Sequence, residues 1–477
     1  WNATPDSALY LSLAESLARG DGYIFNGEPH TFVPPGFPLM LAAASRFCSA
    51  PFFCYRLFMA LTGLLAAAAA YVFLVRWCGR GIGFFIGGLF ALNHCLLYNS
   101  TFILADVPFA LFTYLALNAV IWAGRGQSIL LSTVAAGLLV STLPLIRING
   151  LGVAPAVALF LACAWKHRRW KVQLVYIGLF LAVAYAPFGL WQAWKSSFPV
   201  SLSEGTYLSA VWDRTTADQL RIILAACRDY FPETCYALTG VNIRTGFLEF
   251  IPPLFVIWGM ILSFGRGDRL LVPLTAIQFC GLVLSTAGDR YLLFLVPALY
   301  LFLAVGISDV CERVSGNSIS TGAPEKVLAV CFVVLAALNL GHNIITIANA
   351  RTPLEAHGAE SDRSLPYFTV SRWLKQHDPH TTILTTRSRI VHYLSGCRTV
   401  ALVRSGVPGH ETFVEDQSRI RVLIQQLRPQ YVFTDNKDAY LYSRVFAALK
   451  DLGLNMREIS EAGSPPRYAL FHIEWGK

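Results

Sequence analysis

Charged residues are scarce in this sequence. Only 14% of its 477 residues are Asp, Glu, Lys or Arg, whereas an average soluble protein carries about 25%. The scarcity lies in residues 1–350, where about one residue in nine is charged, against about one in four in residues 351–477. No soluble core could absorb 350 residues that apolar. The composition therefore excludes a soluble globular enzyme and predicts a polytopic membrane domain followed by a water-facing domain.

Motifs for common ligands are also lacking. Residues 351–477 contain no GxGxxG and no P-loop, so nucleotide binding has no support there, and the 11 cysteines of the chain show no CxxC or Cys/His zinc spacing. Cys227 and Cys235 share one polar loop and could form a disulfide in an oxidising compartment. The net charge of +9 is spread between apolar runs rather than gathered into a patch, which argues against a nucleic-acid partner. Because the chain starts at Trp1 rather than Met, we expect the true amino terminus, with a signal-anchor helix, to lie upstream.

Long apolar runs define the predicted membrane domain. A spanning helix needs about 20 apolar residues, and ten runs come close: 51–75, 81–98, 102–123, 128–146, 150–165, 172–194, 247–264, 270–287, 291–307 and 327–348. The run at 36–47 is too short and suits a re-entrant or interfacial helix. The fold class expected is a polytopic α-helical membrane protein of about 10–12 spanning helices. Three regions follow: a first outer loop with amphipathic helices (1–50), the membrane domain (51–348) and a carboxy-terminal domain (349–477).

Basic residues assign the sides of the membrane. Cytoplasmic loops are enriched in Lys and Arg, and every second loop is basic here: Arg76, Arg80, Arg125, Lys166, Arg168, Arg169, Lys171, Arg266, Arg269, Arg313 and Lys326. The opposite loops, with Arg147 as the exception, face outward: 1–50, 99–101, 147–149, 195–246, 288–290 and the chain after 348. The carboxy-terminal domain is then extracytoplasmic. Strand-like runs at 382–385, 399–403, 431–434 and 468–473, with helical periodicity at 370–376 and 418–427, predict a small α/β fold for it.

Two outward carboxylates are the candidate catalytic groups. Asp6 opens an amphipathic stretch in which Leu9, Leu13 and Leu17 repeat at helical spacing and Tyr10 follows on a neighbouring face. Capping of that helix and catalysis are equally supported for Asp6 by the local sequence.

Asp106 lies just inside the outer end of a predicted span, where an ionisable residue is a functional candidate. The alternative is a helix start, with Asp106 as N-cap and Pro108 in the first turn. Both carboxylates in one outward cavity could act as bases or hold a divalent cation, so Asp6 and Asp106 are also the candidate metal ligands.

Two outward arginines are candidates for binding an anionic lipid head. Arg147 breaks an apolar run, and Arg290 stands in Gly-Asp-Arg-Tyr at the start of a span. Snorkelling anchors and phosphate clamps both remain open for these arginines. His30 is isolated, and a core or surface role is favoured over ligation.

An ordered set of motifs resembles one family. Asp6-x-x-x-Tyr10, Leu17-Ala-x-Gly20-x-Gly22-Tyr23 and Pro34-Pro35-Gly36-Phe37-Pro38-Leu39 are followed by Asp106-Val-Pro-Phe-Ala, Arg147-Ile-Asn-Gly150 and Gly288-Asp-Arg-Tyr291-Leu-Leu-Phe-Leu-Val-Pro297. Together they resemble the C-type (GT-C) membrane glycosyltransferases, in particular a bacterial branch similar to protein O-mannosyltransferases and to the lipid A aminoarabinose transferase. The resemblance spans the whole chain in order.

The resemblance implies an inverting enzyme of the bacterial plasma membrane. It would take a sugar from a polyprenyl-phosphate carrier and transfer it, on the extracytoplasmic face, to a lipid, glycan or protein acceptor. Asp6 would be the base and Asp106 the second acidic residue, which orients the loop or holds a cation. The donor phosphate and substrate would be bound by Tyr10, Arg147, Arg290, Tyr291, Glu28 and His30.

The motifs depart from the family in two places. Several relatives carry two adjacent acids in the first loop, whereas Asp6 is followed by Ser7. Aminoarabinose transferases have a Glu-Lys pair near the proline-rich entry, where this chain has Val33; Glu28 or His30 could substitute in part. Two other classes stay open: a flippase or transporter of lipid-linked sugars, which usually shows inverted repeats, and a non-catalytic membrane scaffold, for which Asp6 would be dispensable.

Overall fold

The protein is described by a computed structural model. It describes residues 4–47, 51–125, 129–166, 169–198, 216–241, 246–283, 288–315, 323–351, 365–401, 417–435, 439–459 and 468–475. Trp1, residues 199–215 and 242–245 of the predicted outer loop, residues 284–287 of a predicted span and 402–403 of a predicted strand lie outside these ranges.

A helical bundle forms the membrane domain. Its α-helices are α3 (Pro51–Cys78), α4 (Arg80–Leu92), α5 (His94–Asn99), α6 (Asp106–Arg125), α7 (Ile129–Ile146), α8 (Val153–Ala164), α9 (Trp170–Lys195), α10 (Thr216–Thr239), α11 (Ile251–Gly265), α12 (Leu271–Leu282), α13 (Val296–Ser315) and α14 (Ala323–Arg351). Short 3₁₀ helices, Ile148–Gly152, Leu248–Phe250 and Asp289–Leu295, precede α8, α11 and α13. Within the described residues, each of the ten predicted runs overlaps with helical structure.

Seven helices within the described residues are long and apolar enough to cross a membrane. The runs predicted at 81–98, 150–165 and 270–287 fall instead among the shorter apolar helices, as does the run at 36–47. Asn93 explains the first case, because its extended backbone (ψ 130°) interrupts the helix and its side chain caps α5 through the amides of Cys95 and Leu96. The helical membrane fold expected from the sequence is thus confirmed, with some spans interrupted.

The first loop folds as a compact unit before the bundle. Helix α1 (Pro5–Arg19) leads to a two-stranded hairpin, β1 (Ile24–Phe25) and β2 (Glu28–Pro29), and then to α2 (Gly36–Ser45). Leu9 and Leu13 are buried against Tyr23, Phe25 and other residues of this loop. The leucine spacing in the sequence therefore corresponds to a buried helix face.

The carboxy-terminal domain is an α/β unit with a five-stranded sheet. Its elements in chain order are α15 (Leu365–His377), β3 (Thr382–Thr385), α16 (Ser388–Ser395), β4 (Arg398–Ala401), α17 (Gln417–Leu427), β5 (Tyr431–Asp435), α18 (Ala439–Asp451), β6 (Asn455–Glu458) and β7 (Tyr468–Glu474). The strand order is β4-β3-β5-β7-β6. The first three are parallel, and β7 and β6 add antiparallel at one edge.

The first loop and the carboxy-terminal domain are docked together. Asn26, at the hairpin tip, exchanges two hydrogen bonds with the backbone of Thr399 in β4, at 2.6 and 2.9 Å. The Tyr393 hydroxyl donates to Glu15 of α1 at 3.1 Å, and Arg398 pairs with Glu28 at 2.9 Å. These contacts place both regions on the same side of the bundle.

Candidate active site

Asp6 lies in the first turn of α1 and does not cap it. The N-cap is Thr4, whose hydroxyl accepts from the amide of Ser7 at 3.0 Å, so the capping alternative for Asp6 is wrong. The carboxylate pairs with two guanidinium groups instead. Oδ2 accepts from Arg290 and Oδ1 from Arg389, each at 3.2 Å.

Asp106 begins α6, with Pro108 in its first turn. Its Oδ1 forms a salt bridge with Nη1 of Arg147. The Asp106 side chain is 4% exposed and that of Arg147 19%. This pair is therefore largely removed from water. A charge in such a buried position needs a partner of opposite charge.

Tyr291 joins the two ion pairs. Its hydroxyl accepts from Nη2 of Arg290 at 2.9 Å. The guanidinium carbons of Arg147 and Arg290 lie 5.0 and 4.9 Å from the centre of its ring, within the range of cation–π attraction. Asp6, Arg290, Tyr291, Arg147 and Asp106 thus form one continuous network.

Backbone packing around two glycines sets the position of Arg147. A Cβ on Gly36, in the proline-rich motif, would lie 2.6 Å from the carbonyl oxygen of Leu145. A Cβ on Gly150 would lie 2.3 Å from the carbonyl carbon of Leu143. Glycine is needed where backbones approach this closely. The two motifs therefore bring α2 and the 3₁₀ helix 148–152 against the end of α7, where Arg147 follows.

The remaining candidate residues lie beside this network or away from it. Tyr10 packs edge-on against Phe37, with ring centres 4.9 Å apart. His30 is buried, and its Nε2 accepts from the amide of Val33 at 3.1 Å, which agrees with the favoured core role. Glu28 is half-exposed and engaged with Arg398 at the domain contact.

Arg389 is the site residue that sequence reasoning missed. It belongs to α16 of the carboxy-terminal domain, and its side chain is 10% exposed while it reaches Asp6. Its guanidinium also lies 5.5 Å from the centre of the Phe32 ring. No local pattern marks it, because its burial depends on a loop more than 350 residues away in sequence.

Potential metal ligands are grouped elsewhere. Asp6 and Asp106 are each paired with arginine. Among the residues that the structure describes, a set of three metal-type side chains occurs at His94, Cys95 and Asp289. Cys227 and Cys235 are both free thiols, the first exposed and the second buried.

Comparisons with known proteins agree with this architecture. A family model described as dolichyl-phosphate-mannose-protein mannosyltransferase matches residues 34–211, which include Asp106 and Arg147. A search of curated proteins finds no match.

Solved structures match the chain over nearly its full length. ArnT from Cupriavidus metallidurans, in its apo state, shares 14% identity at a TM-score of 0.54, covering 98% of this chain and 93% of its own. The same protein bound to undecaprenyl phosphate matches equally well. The oligosaccharyltransferase AglB from Archaeoglobus fulgidus, in complex with an inhibitory peptide and a dolichol-phosphate, shares 13% identity at a TM-score of 0.54, covering 93% of this chain and 68% of its own. This integral membrane protein therefore has the fold of ArnT and AglB, which are C-type membrane glycosyltransferases, and over residues 34–211 it resembles the mannosyltransferase family.

Proposed function

We propose that this protein transfers a sugar from a polyprenyl-phosphate carrier to an acceptor hydroxyl, with inversion at the anomeric carbon. Asp6 is the general base. The reaction takes place on the extracytoplasmic face of a bacterial plasma membrane, and the acceptor is a lipid, a glycan or a protein.

The observation that carries this proposal is the difference in exposure between the two carboxylates. The Asp6 side chain is 38% exposed and that of Asp106 is 4%. A base must come within hydrogen-bond distance of the proton it removes, and of the two carboxylates Asp6 is the one that faces solvent. Asp106 is a positioning residue that holds Arg147 beside Tyr291.

The arginines suit a phosphate leaving group. Arg147 and Arg290 lie at the same tyrosine ring, and guanidinium groups bind phosphate oxygens through paired hydrogen bonds. As the acceptor oxygen attacks, its proton passes to Asp6 and the bond between the anomeric carbon and the phosphate oxygen breaks. The electron pair leaves with the polyprenyl phosphate, whose growing charge Arg290 and Arg147 stabilise.

An apolar groove supports a lipid-linked donor. A cavity of about 370 Å³ lies between α10, α11 and α12, with Tyr230, Met260, Ala276 and Val283 in its wall. Val283 lies five residues before Gly288 in the sequence, and the segment that carries Arg290 begins at Gly288. We assign the polyprenyl tail of the donor to this groove. Two of the matched structures, ArnT with undecaprenyl phosphate and AglB with a dolichol-phosphate, support such a donor.

The proposal is tested with purified protein in proteoliposomes and a panel of radiolabelled polyprenyl-phosphate sugars. We expect the label to move to acceptor or water with an inverted anomeric configuration. Arg290→Gln should lower that transfer strongly, whereas Arg76→Gln, an exposed arginine bonded to Asn118, should not. Label that crosses the bilayer still attached to its lipid would support the flippase and overturn the proposal. Failure to turn over any donor would overturn it as well.

A further inference from the structure

Three metal-binding side chains converge where α5 meets the 3₁₀ helix Asp289–Leu295. Nε2 of His94 lies 3.3 Å from Sγ of Cys95, and that sulfur lies 3.4 Å from Oδ2 of Asp289. All three donor atoms lie within 4.8 Å of one another. The His94 and Cys95 side chains are buried, and Asp289 is half-buried.

The two separations that involve the Cys95 sulfur match the edges of a tetrahedral metal site. Zinc binds thiolate sulfur at about 2.3 Å, imidazole nitrogen at about 2.0–2.1 Å and carboxylate oxygen at about 2.0–2.2 Å. At a tetrahedral angle those bond lengths put neighbouring ligand atoms about 3.5 Å apart. We propose that His94, Cys95 and Asp289 bind a divalent zinc-type transition-metal ion.

The histidine is oriented as a metal ligand by its surroundings. Nδ1 of His94 lies 3.3 Å from Oδ1 of Asn339. That oxygen can only accept, and it also accepts from the His94 amide at 3.0 Å and from Asn93 Nδ2 at 3.3 Å. Nδ1 must therefore carry the ring proton, and the lone pair on Nε2 is directed towards Cys95. Metal-binding histidines usually have their second ring nitrogen fixed in this way.

Asn339 is itself held firmly. Its Nδ2 donates to the carbonyl of Leu238 at 2.9 Å and to the Tyr300 hydroxyl at 3.3 Å. Both Asn93 and Asn339 are fully buried. Such a network restricts the imidazole to one orientation, so little further ordering is needed when the ion binds.

The donor set indicates the type of ion. Nitrogen and sulfur ligands favour zinc-type ions over magnesium or calcium, which prefer oxygen. Three protein ligands leave the fourth tetrahedral position to water. When the ion binds, the Cys95 thiol loses its proton to solvent and the sulfur–metal bond forms.

The ion would stabilise the geometry next to the proposed catalytic network. Asp289 directly precedes Arg290, the partner of Asp6. A metal bridge from α5 to Asp289 would fix the start of this 3₁₀ helix. The site is separate from Asp6 and Asp106, and its existence does not depend on the proposed transfer reaction.

The test is metal binding by the tag-free, full-length protein in detergent. After chelation, cobalt(II) is titrated and the thiolate-to-cobalt charge-transfer absorption is recorded; zinc content is measured separately by elemental analysis. We expect one zinc per chain and a charge-transfer band that saturates with one equivalent of cobalt. Cys95→Ser should abolish the band, and Asp289→Asn should weaken binding by at least about tenfold.

A matched control is available in Cys235, a buried cysteine of α10 outside the cluster. Cys235→Ser should keep both the band and the zinc. Size-exclusion profiles show which variants are folded, and the half-buried Asp289 gives a second variant if Cys95→Ser does not fold. Wild-type protein without zinc and without the band would show a merely hydrogen-bonded cluster and overturn the proposal. A band that survives in Cys95→Ser would overturn it too.

Discussion

The ion pair between Asp106 and Arg147 is buried, and the exposure of its two side chains predicts how much stability is lost when one partner is removed. Removing one partner of a buried pair leaves an uncompensated charge and costs about 3–5 kcal/mol. Arg147 keeps 19% exposure, so water can relieve part of that penalty. We therefore expect Asp106→Asn to lower the free energy of unfolding by about 3 kcal/mol, at the lower end of that range.

A double-mutant cycle separates the pair from its surroundings. Arg147→Met removes the charge and keeps an unbranched apolar stem, and it should destabilise the protein by a similar amount. The double variant should lose less than the sum of the two, with a coupling energy of about 1–3 kcal/mol. The thermal midpoint of each variant is measured in detergent, with fluorescence-detected size-exclusion chromatography as the detection method.

An exposed pair in the first loop serves as the control. Asp21 and Arg19 are 52% and 63% exposed, and such pairs contribute about 0.2–1 kcal/mol. Asp21→Asn should therefore leave the midpoint nearly unchanged. If Asp106→Asn were as mild as this control, or if the double variant were additive to within about 0.5 kcal/mol, the reasoning would be refuted.

Three further predictions concern the site, the domain contact and the groove. Arg389→Gln should reduce turnover about tenfold, because it removes one cation from the catalytic carboxylate, whereas Arg398→Gln should not; steady-state kcat measures both. Burial lowers the pKa of His392 at the domain contact. His392 therefore binds a proton more readily in the unfolded chain than in the folded protein. The carboxy-terminal domain should lose stability as pH falls below about 6.5, and His392→Phe should remove this dependence in pH-resolved melts. Ala276→Trp, in the wall of the apolar groove, should raise KM for the lipid donor, and Gly178→Trp, at an open and exposed position of α9, should not.

Composition and periodicity were sufficient to predict the helical membrane domain and the α/β domain. Apolar runs mark helices whether or not they are interrupted, so the break at Asn93 inside the run 81–98 was missed. That break depends on hydrogen bonds from Asn93 to Ala237 and Tyr300 in distant helices. The edge strand Asn455–Glu458 was missed because its residues are mostly exposed and polar.

The candidate network was predicted in part. Asp6, Asp106, Arg147 and Arg290 were selected because they are charged groups at the outer ends of apolar segments, and the fold does bring them together. Arg389 was not predicted because no sequence pattern indicates a contact between two domains. The cluster at His94, Cys95 and Asp289 was not predicted because Asp289 lies 194 residues after Cys95 and the adjacent pair His94 and Cys95 does not follow a known zinc spacing.

The most direct test of the account is sugar transfer by Asp6→Asn beside Asp21→Asn, an acid of the same loop. General-base catalysis contributes about 10²–10⁴-fold to rate, which corresponds to about 3–5 kcal/mol of activation free energy. We expect kcat of folded Asp6→Asn to fall by that factor, with Asp21→Asn close to wild type. Wild-type turnover in folded Asp6→Asn would contradict the central claim that the exposed first-loop carboxylate is the base.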